Sequence, residues 1–359
     1  LNHPAMRFIL ETLVELGAPE QILVDAKPHV GTDRLRRILK NFRASLQEKG
    51  VEIQFRSRLS GIECVKERVH AAHLASGRML SCDALVLAPG HSARDTYAML
   101  AAAGVALEPK PFAVGVRVEH PAALINRIQY GVPSHPRLSA ADYALTYNRK
   151  SDGRGVYSFC MCPGGEVINA SSEPGALVVN GMSNLNRAGD YSNSALVVTV
   201  RPDDFPEPGP LGGVSFQRTL EQAAFQAGGR NYRAPAQNLM TFLGRGRGAV
   251  RSSCRPAVVE AALDGVLPPF VVHALREALP HFDRRMRGFI TAEAVLVGVE
   301  TRTSAPLRIL RDASGQSVSH PGLYPCGEGA GYAGGIMSAA LDGLRIADAI
   351  IAQFQQQEI

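Results

Sequence analysis

Residues able to react or to bind a cofactor fall in a few short stretches of the sequence. Cys160 and Cys162 carry thiols two positions apart, close enough in sequence to suggest redox chemistry or the lining of a substrate pocket. Glu300 and Arg302 flank a single residue, so in a strand they would share a face and could orient a substrate as an opposed pair. Residues 321–338 are rich in glycine and run into an amphipathic pattern.

The glycine-rich stretch predicts a strand, a tight turn and a helix in that order. Residues 323–326 are an apolar run of strand length, and the glycines after them permit a tight turn and close approach to a ligand. From Ile336 onward, apolar residues recur at helical spacing. Because the first amides of a helix are free and lie at its positive end, we expect an electron-rich or negative group there. A strand-to-helix turn without a ligand is the alternative.

This stretch, Gly-x-Tyr-x-x-Gly-Glu followed by a glycine-rich loop and a helix, resembles the second flavin-contacting motif of glutathione-reductase-like flavoproteins. The resemblance implies that Glu328 hydrogen-bonds the ribitol chain of FAD. It also implies that the amides near Gly335 and Ile336 face the pyrimidine edge of the flavin. Gly327 and Gly334 complete the expected cofactor-binding set of this motif.

A second stretch has the same resemblance. Residues 84–88 are a continuous apolar run, which predicts a parallel strand buried on both faces. In the resembled flavoproteins such a strand ends in an Ala-x-Gly turn close to FAD, although here proline occupies the middle position that is often threonine. Gly90 and His91 are therefore expected nearest the cofactor, with Ser92 as a polar contact. A solvent-facing turn is the alternative.

The middle of the chain narrows the resemblance to the uncharacterised FAD-dependent dehydrogenases of bacteria, a group without an agreed substrate. The segments that carry it are residues 116–121, 125–131, 157–165, 179–183 and 193–198. The implied fold is α/β, with an FAD/NAD(P)-binding Rossmann-like domain at residues 1–109 and 291–359. An α+β substrate domain is inserted at residues 110–290, and NADH or NADPH is a possible electron donor.

Composition supports a globular protein with room for two domains. The 359 residues are 45% apolar and 20% charged, without a run long enough to span a bilayer, so we expect a soluble protein. The net charge of +5 and scattered arginines make nucleic acid an improbable partner. The six cysteines lack the close spacing of a disulfide-bonded secreted domain, so we expect a cytoplasmic location. No spacing of cysteines and histidines indicates a metal site.

Local patterns predict the elements that position these residues. Helices are expected at residues 4–16, after a cap at Thr32 or Asp33, and near 95–100, 215–227 and 268–279. Strands are expected at residues 22–26, 51–55, 59–63, 68–74, 78–81, 112–118, 155–162, 176–180 and 195–200. Residues 241–257 are predicted to be a long loop.

Other polar residues are candidates for a substrate pocket. Asn180 and Ser183 are expected to contact substrate, and His29, before the predicted helix, to face a ligand or to bond locally. The loop arginines 245, 247 and 251 suit an acidic substrate or a nicotinamide phosphate, or only solvent. In a regular strand Cys160 and Cys162 would lie about 6.5–7 Å apart, too far for an unstrained disulfide.

Flavoproteins of this group open with a βαβ unit carrying Gly-x-Gly-x-x-Gly, which holds the FAD pyrophosphate. No such spacing precedes Pro28, so the sequence is expected to lack that unit and to leave residues 84–88 and the final strand partly uncovered. An FAD-dependent oxidoreductase is the favoured function. The alternatives are a non-catalytic remnant or binding module without FAD, and a flavin-dependent RNA-modifying enzyme. A tightly bound flavin is expected only in a version extended upstream.

Overall fold

The computed structural model describes residues 3–25 and 28–357. Its first part contains helices α1 (Ala5–Glu15) and α2 (Thr32–Glu48), an antiparallel meander β1 (Leu59–Val65), β2 (Arg68–Leu74) and β3 (Met79–Ser81), strand β4 (Leu85–Leu87) and helix α3 (Arg94–Ala102). The predicted helices, the meander and the strand before Gly90 are confirmed.

Two predicted strands in this part are wrong. Residues Glu20–Leu23 form a 3-10 helix, because the apolar side chain of Ile22 packs between the two helices instead of joining a sheet; Ala26 lies outside the described residues. Residues 51–55 are irregular, with Val51 and Phe55 exposed. No strand in the described part of the chain pairs with them, so alternation alone does not make a strand here.

The cap of α2 also differs from the prediction. Gly31, with φ of 80°, occupies the N-cap position, and no side chain caps the helix. Asp33 instead accepts a hydrogen bond from the Leu185 amide at 2.9 Å, and the Thr32 amide donates to the Ser183 carbonyl oxygen at 3.1 Å. The start of α2 is therefore fixed by a distant loop.

The middle of the chain forms a seven-stranded mixed sheet with flanking helices. Its elements, with the smaller strands beside it, are β5 (Leu107–Pro109), β6 (Phe112–Pro121), α4 (Ala122–Tyr130), β7 (Thr146–Asn148), β8 (Gly155–Cys162), β9 (Glu166–Asn169), β10 (Val179–Met182), β11 (Tyr191–Val200), α5 (Gly212–Ala227), β12 (Ala234–Asn238), α6 (Leu239–Phe242), β13 (Val258–Glu260), α7 (Pro269–Arg285) and β14 (Val295–Glu300). The order in the large sheet is β13-β12-β14-β6-β11-β8-β7.

The predicted strands of this region are confirmed, except that residues 176–180 are shifted. The strand there is β10, which pairs with β9 in a separate two-stranded sheet. Helix α6 occupies the first two residues of the predicted loop at 241–257, so the prediction is wrong there, whereas residues 243–257 are irregular as expected. Strand β14 pairs with β6 and β12, so it lies in the large sheet although the predicted domain boundary is at residue 290.

The two faces of the large sheet differ in chemistry. On β6, Val114, Val116 and Val118 are fully buried in the main core, which α5 and α7 cover with apolar side chains. The intervening positions Ala113, Gly115, Arg117 and Glu119 point to the opposite face because side chains alternate along a strand. That opposite face carries the polar groups described below.

The chain ends in β15 (Leu307–Ile309), β16 (Leu323–Pro325) and α8 (Ile336–Gln357). Strand β16 pairs with β4 in parallel, which confirms the predicted strand, turn and helix. Val86 is 46% exposed, so β4 is not buried on both faces and is partly uncovered, as the second expectation for residues 84–88 has it. Leu323 and Tyr324 are fully buried, so the expectation that the final strand is partly uncovered is wrong. No helix among the described residues combines the length and the apolar character needed to cross a membrane.

Candidate functional site

The two turns predicted to contact a cofactor lie against each other. A Cβ atom built on Gly329 would lie 2.5 Å from the amide nitrogen and from the carbonyl oxygen of Gly90. The hydroxyl of Tyr97 on α3 donates to the Gly329 carbonyl oxygen at 2.8 Å. Parallel pairing of β4 with β16 brings the ends of both strands to the same edge, which is why the turns meet.

The glycines of the second turn do different things. Gly329, Gly331 and Gly334 have the Gly-x-Gly-x-x-Gly spacing between β16 and α8, so the prediction that this spacing is missing from the whole sequence is wrong. A Cβ on Gly331 would lie 2.7 Å from the Leu307 carbonyl oxygen, so this glycine, like Gly329, permits backbone packing. Gly334 and Gly335 have open space around them, and Ile336 is 64% exposed. The start of α8 is therefore the accessible part of the turn.

Asp342 on α8 holds the beginning of this turn. Its carboxylate accepts the Gly327 amide at 2.8 Å and two hydrogen bonds from the Arg311 guanidinium, at 2.9 and 2.6 Å. Arg311 in turn lies over the Tyr332 ring, 3.6 Å from its centroid. Burial raises the pKa of Asp342, but the bonds from Arg311 and Gly327 outweigh it and lower that pKa. The turn is thus held by a charged carboxylate.

Glu328, at the middle of the turn, is half-buried. Its backbone carbonyl oxygen accepts the Gly331 amide at 3.0 Å, but its carboxylate forms no hydrogen bond or ion pair with any residue that the structure describes. Its charge acts on three neighbours: Tyr97, whose pKa burial and this charge both raise, His91 and Lys110. Burial lowers the pKa of His91, and the Glu328 carboxylate opposes that shift. Burial also lowers the pKa of Lys110, again opposed by Glu328, and the Lys110 amine lies 3.5 Å from the Ser304 hydroxyl. His91 itself bonds Ser92 through Nδ1 at 2.9 Å.

A cleft of about 300 Å³ lies between the start of α8 and the polar face of the large sheet. Tyr157 and Phe159 of β8 contribute aromatic walls, Ala113 of β6 a small apolar one, and Gly334 borders it from the turn. Thr303 closes one side, accepting the Ala113 amide at 3.1 Å and donating to the Ala113 carbonyl oxygen at 2.9 Å. Its walls suit a flat, partly apolar ligand.

A buried polar cluster adjoins this cleft on the same face of the sheet. Arg117 is fully buried; its Nε donates to the Asn193 side chain at 2.8 Å, its Nη1 to Glu300 Oε2 at 3.2 Å and its Nη2 to the Cys160 carbonyl oxygen at 2.7 Å. Burial raises the pKa of Glu300 to about 7, although Arg117 opposes this. The cluster therefore places one buried cation and one buried carboxyl group within the sheet.

Cys160 and Cys162 belong to this cluster, and their geometry differs from that of a regular strand. Strand β8 advances from Phe159 to Cys162 while β11 advances only from Ala195 to Asn193, so β8 contains an extra residue. Cys160 has φ of 45°, in the left-handed region. The strand alternation that separates the two side chains in the prediction is therefore interrupted between them.

Glu300 and Arg302 do not form the opposed pair that their spacing predicts. Strand β14 ends at Glu300, so Arg302 lies in the following loop and turns toward α5. Its Nε and Nη2 donate to the two carboxylate oxygens of Glu221 at 2.9 and 2.7 Å, and its Nη1 to the Ser172 hydroxyl at 2.6 Å. Arg302 is thus engaged in a buried ion-pair network.

The predicted substrate residues are not brought to the cleft. Ser183 lines a separate polar cavity of about 420 Å³ together with Tyr191, while Thr199 lines the cleft. Tyr191 and Thr199 lie at opposite ends of β11, roughly 27 Å apart at the rise of an extended strand. Asn180 is exposed on β10.

Two further sequence candidates lie away from the cleft. His29 contacts a distant loop, with its Nε2 3.1 Å from the Asn184 carbonyl oxygen, so it does not make the expected bond within its own turn. The loop arginines 245, 247 and 251 are exposed. No group of three or more His, Cys, Asp or Glu side chains in residues 3–25 and 28–357 is arranged to hold a metal ion.

Two site residues were missed in the sequence. Lys110, beside Glu328 and Ser304, had no distinguishing pattern. Arg117 did have one, because a charged residue alternates with buried valines in the middle of an apolar strand. Such a residue requires a buried partner, and here Glu300 and Asn193 are the partners.

Known proteins similar to this chain include an uncharacterized protein of Clostridium beijerinckii, 48% identical over 352 residues. The alignment covers 97% of this chain and 66% of that protein, so the chain spans less than two thirds of its relative. Among solved structures, glycine oxidase from Bacillus cereus is 12% identical with a TM-score of 0.34, covering 88% of this chain and 56% of that one. PqsL of Pseudomonas aeruginosa, in complex with 2-aminobenzoylacetate, is 18% identical with a TM-score of 0.24, covering 48% and 34%. At these scores the two structures carry no argument about the site.

A family match covers the centre of the chain. Residues 111–303 match the family described as FAD-dependent protein, C-terminal domain-like. That range contains every strand of the seven-stranded sheet, together with Arg117, Cys160 and Glu300. The match extends over more than half of the sequence, and the chain therefore belongs to this family of FAD-dependent proteins.

Proposed function

We propose that this chain provides the flavin-ring and ribitol side of the cofactor site of an FAD-dependent oxidoreductase. The observation that carries the proposal is the half-buried Glu328 carboxylate, which lacks a partner among the described residues and lies beside the open start of α8. A carboxylate that is partly desolvated and unpaired is costly unless a ligand donates to it, and ribitol hydroxyls are such donors.

The neighbouring residues fit a flavin by size and polarity. Gly334, Gly335 and Ile336 leave the first amides of α8 accessible, and the dipole of that helix favours the electron-rich edge of a ring. Gly90 and His91 border Glu328 from the other turn. The adjoining cleft has aromatic walls. Lys110 adds a positive charge near its edge, close to Glu328.

FAD, when bound, supplies reversible transfer of two electrons, and the residues of this chain orient it and limit access of water. NADH or NADPH is the proposed electron donor, and the substrate is a small molecule that enters the cleft next to Tyr157 and Phe159. The proposed substrate contacts of Asn180 and Ser183 would require a substrate that also reaches the separate cavity bordered by Ser183.

Riboflavin tests the assignment directly, since it has the ring and the ribitol but no phosphate. We expect riboflavin fluorescence to be quenched when the chain is titrated into it, and Glu328→Ala to weaken binding by about 10- to 100-fold, the equivalent of one hydrogen bond to a charged group. Glu260→Ala is the control, because Glu260 is exposed on the edge strand β13.

Equal binding by the Glu328→Ala and control variants would remove Glu328 from the site. Absence of binding of both riboflavin and FAD would overturn the proposal for this chain. With FAD bound, bleaching of the flavin absorbance by NADH or NADPH without oxygen would identify the donor, and no bleaching by either would exclude both nicotinamides.

A further inference from the structure

Cys160 and Cys162 have a geometry that the proposed flavin contacts do not use. The extra residue in β8 interrupts the strand alternation between the two cysteines and places Cys162 Sγ 3.5 Å from the Cys160 carbonyl oxygen, with Arg117 Nη2 in contact with both residues. Cys160 is exposed, whereas Cys162 is buried. One thiol of the pair is thus open to a reagent, and the second lies next to it without access to solvent.

The Arg117 cluster fixes this arrangement. Arg117 Nη2 binds the Cys160 carbonyl oxygen at 2.7 Å and approaches Cys162 Sγ at 3.7 Å, while Glu300 neutralises the guanidinium from β14. A backbone carbonyl bound to a buried guanidinium has little freedom, so the left-handed conformation of Cys160 is held in place.

The charged groups facing Cys160 favour its thiolate. The hydrogen bond from the Cys162 thiol, with the charge of Arg117, lowers the pKa of Cys160 to about 6 against the opposing effect of burial. The same hydrogen bond, together with burial, raises the pKa of Cys162. Glu300 is the remaining charged neighbour: it pairs with Arg117, and its own charge also raises the pKa of Cys162. The two thiols are therefore unequal, as an attacking and a resolving cysteine are.

We propose that Cys160 and Cys162 form a reversible dithiol–disulfide couple that exchanges with small-molecule disulfides of the glutathione class. The Cys160 thiolate attacks one sulfur of the small disulfide; that S–S bond breaks, a mixed disulfide forms on Cys160, and one small thiolate leaves. Cys162 then loses its proton to the departing thiolate or to water and attacks the Cys160 sulfur, releasing the second small thiol. The pair is oxidised by two electrons, and one disulfide is reduced to two thiols.

This activity requires no flavin, so its failure and the failure of the proposed flavin site are separate results. Cys64 is a matched control within the chain because it is also exposed, but burial raises its pKa. At pH 7 a larger fraction of Cys160 than of Cys64 is the reactive thiolate. The Cys160 thiolate is, however, less basic and therefore a weaker nucleophile. Together these predict alkylation of Cys160 about five- to tenfold faster than that of Cys64.

The first experiment measures iodoacetamide alkylation of each cysteine by peptide mass spectrometry between pH 5 and pH 10. We expect the Cys160 rate to rise through about pH 6 and then to level off, while the Cys64 rate continues to rise above pH 9. A Cys160 rate and pH profile equal to those of Cys64 would overturn the proposal.

The second experiment treats the chain with oxidised glutathione. The wild-type chain should acquire a Cys160–Cys162 disulfide and retain no glutathione. Cys162→Ser keeps a hydroxyl donor beside Cys160 but should trap one glutathione on it, and Cys160→Ser should leave Cys162 reduced. A wild-type chain that retains glutathione on Cys160, as the Cys162→Ser variant does, would exclude the couple. Circular dichroism of each variant checks that it is folded.

Discussion

Arg94 and Glu221 form a two-pronged ion pair inside the protein, with Nη2–Oε1 and Nη1–Oε2 distances of 2.7 and 2.9 Å. The side chain of Glu221 is fully buried and that of Arg94 is 2% exposed. Arg302 donates to the same carboxylate, so one glutamate on α5 balances two arginines. Arg94 is the first residue of α3, and Arg302 lies in the loop after β14. This network fixes both loops that border the candidate site.

Glu221→Gln is therefore expected to destabilise the protein by about 3–5 kcal/mol, because it leaves the buried Arg302 guanidinium without a counter-charge and Arg94 with Glu173 as its remaining carboxylate partner. Urea unfolding at pH 7 measures the change. Glu260→Gln on the exposed edge strand serves as control and should remain within about 0.5 kcal/mol of the wild type. A Glu221→Gln loss no larger than that of the control would contradict a structural role for the network.

Glu173 predicts a loss of stability in acid. Its side chain is 26% exposed, and hydrogen bonds from Arg218 and Arg94 lower its pKa to about 2. Since the unfolded chain takes up this proton at a higher pH than the folded chain, the contribution of Glu173 is complete above pH 4.5 and is lost toward pH 2. Glu173→Gln should cost up to about 3 kcal/mol at pH 7 and much less at pH 3. Unfolding free energies of both proteins at the two pH values give the comparison; a pH-independent difference would refute the linkage.

We expect buried His120 to make the free energy of unfolding depend on pH in a second, higher pH range. Burial lowers its pKa to about 4, and its Nε2 bonds the Phe289 carbonyl oxygen at 2.8 Å. The unfolded chain protonates this histidine near pH 6.5 while the folded chain does not, so stability is lost as the pH falls from 6.5 to 4. His120→Gln should remove a pH-dependent contribution of up to about 3 kcal/mol across that window. Chemical unfolding at pH 7 and pH 4.5 measures it, and parallel curves for the two proteins would exclude His120 as the source.

Gly329→Ala tests the contact between the two turns. The added methyl group would lie 2.5 Å from backbone atoms of Gly90, so the turns have to separate, and we expect a loss of about 1–3 kcal/mol. Gly334→Ala is the matched control, because open space surrounds Gly334 in the same loop. Thermal unfolding of the two variants should differ clearly. Equal melting temperatures would mean that the turns are not packed as described.

Local patterns predicted much of this protein, and their failures have physical causes. The meander, the strand before Gly90, the central strands and the final helix were predictable because each carries the periodicity of its element. The strand at residues 51–55 was not formed, since an alternating pattern needs a partner strand. The extra residue at Cys160 was not predictable, because register depends on the neighbouring strand β11.

The sequence by itself determined the residue types of the site and the elements that carry them: the glycine-rich turn with Glu328, the turn at Gly90, and the thiols of β8. Only the tertiary structure decided which of these meet. The parallel strand pair brings Gly90 against Gly329, and Ser183 lies far from the cleft. Glu300 pairs with Arg117, and Arg302 pairs with Glu221. The reason is that buried charges bind whichever partner the packed elements bring within reach, and sequence spacing does not specify that partner.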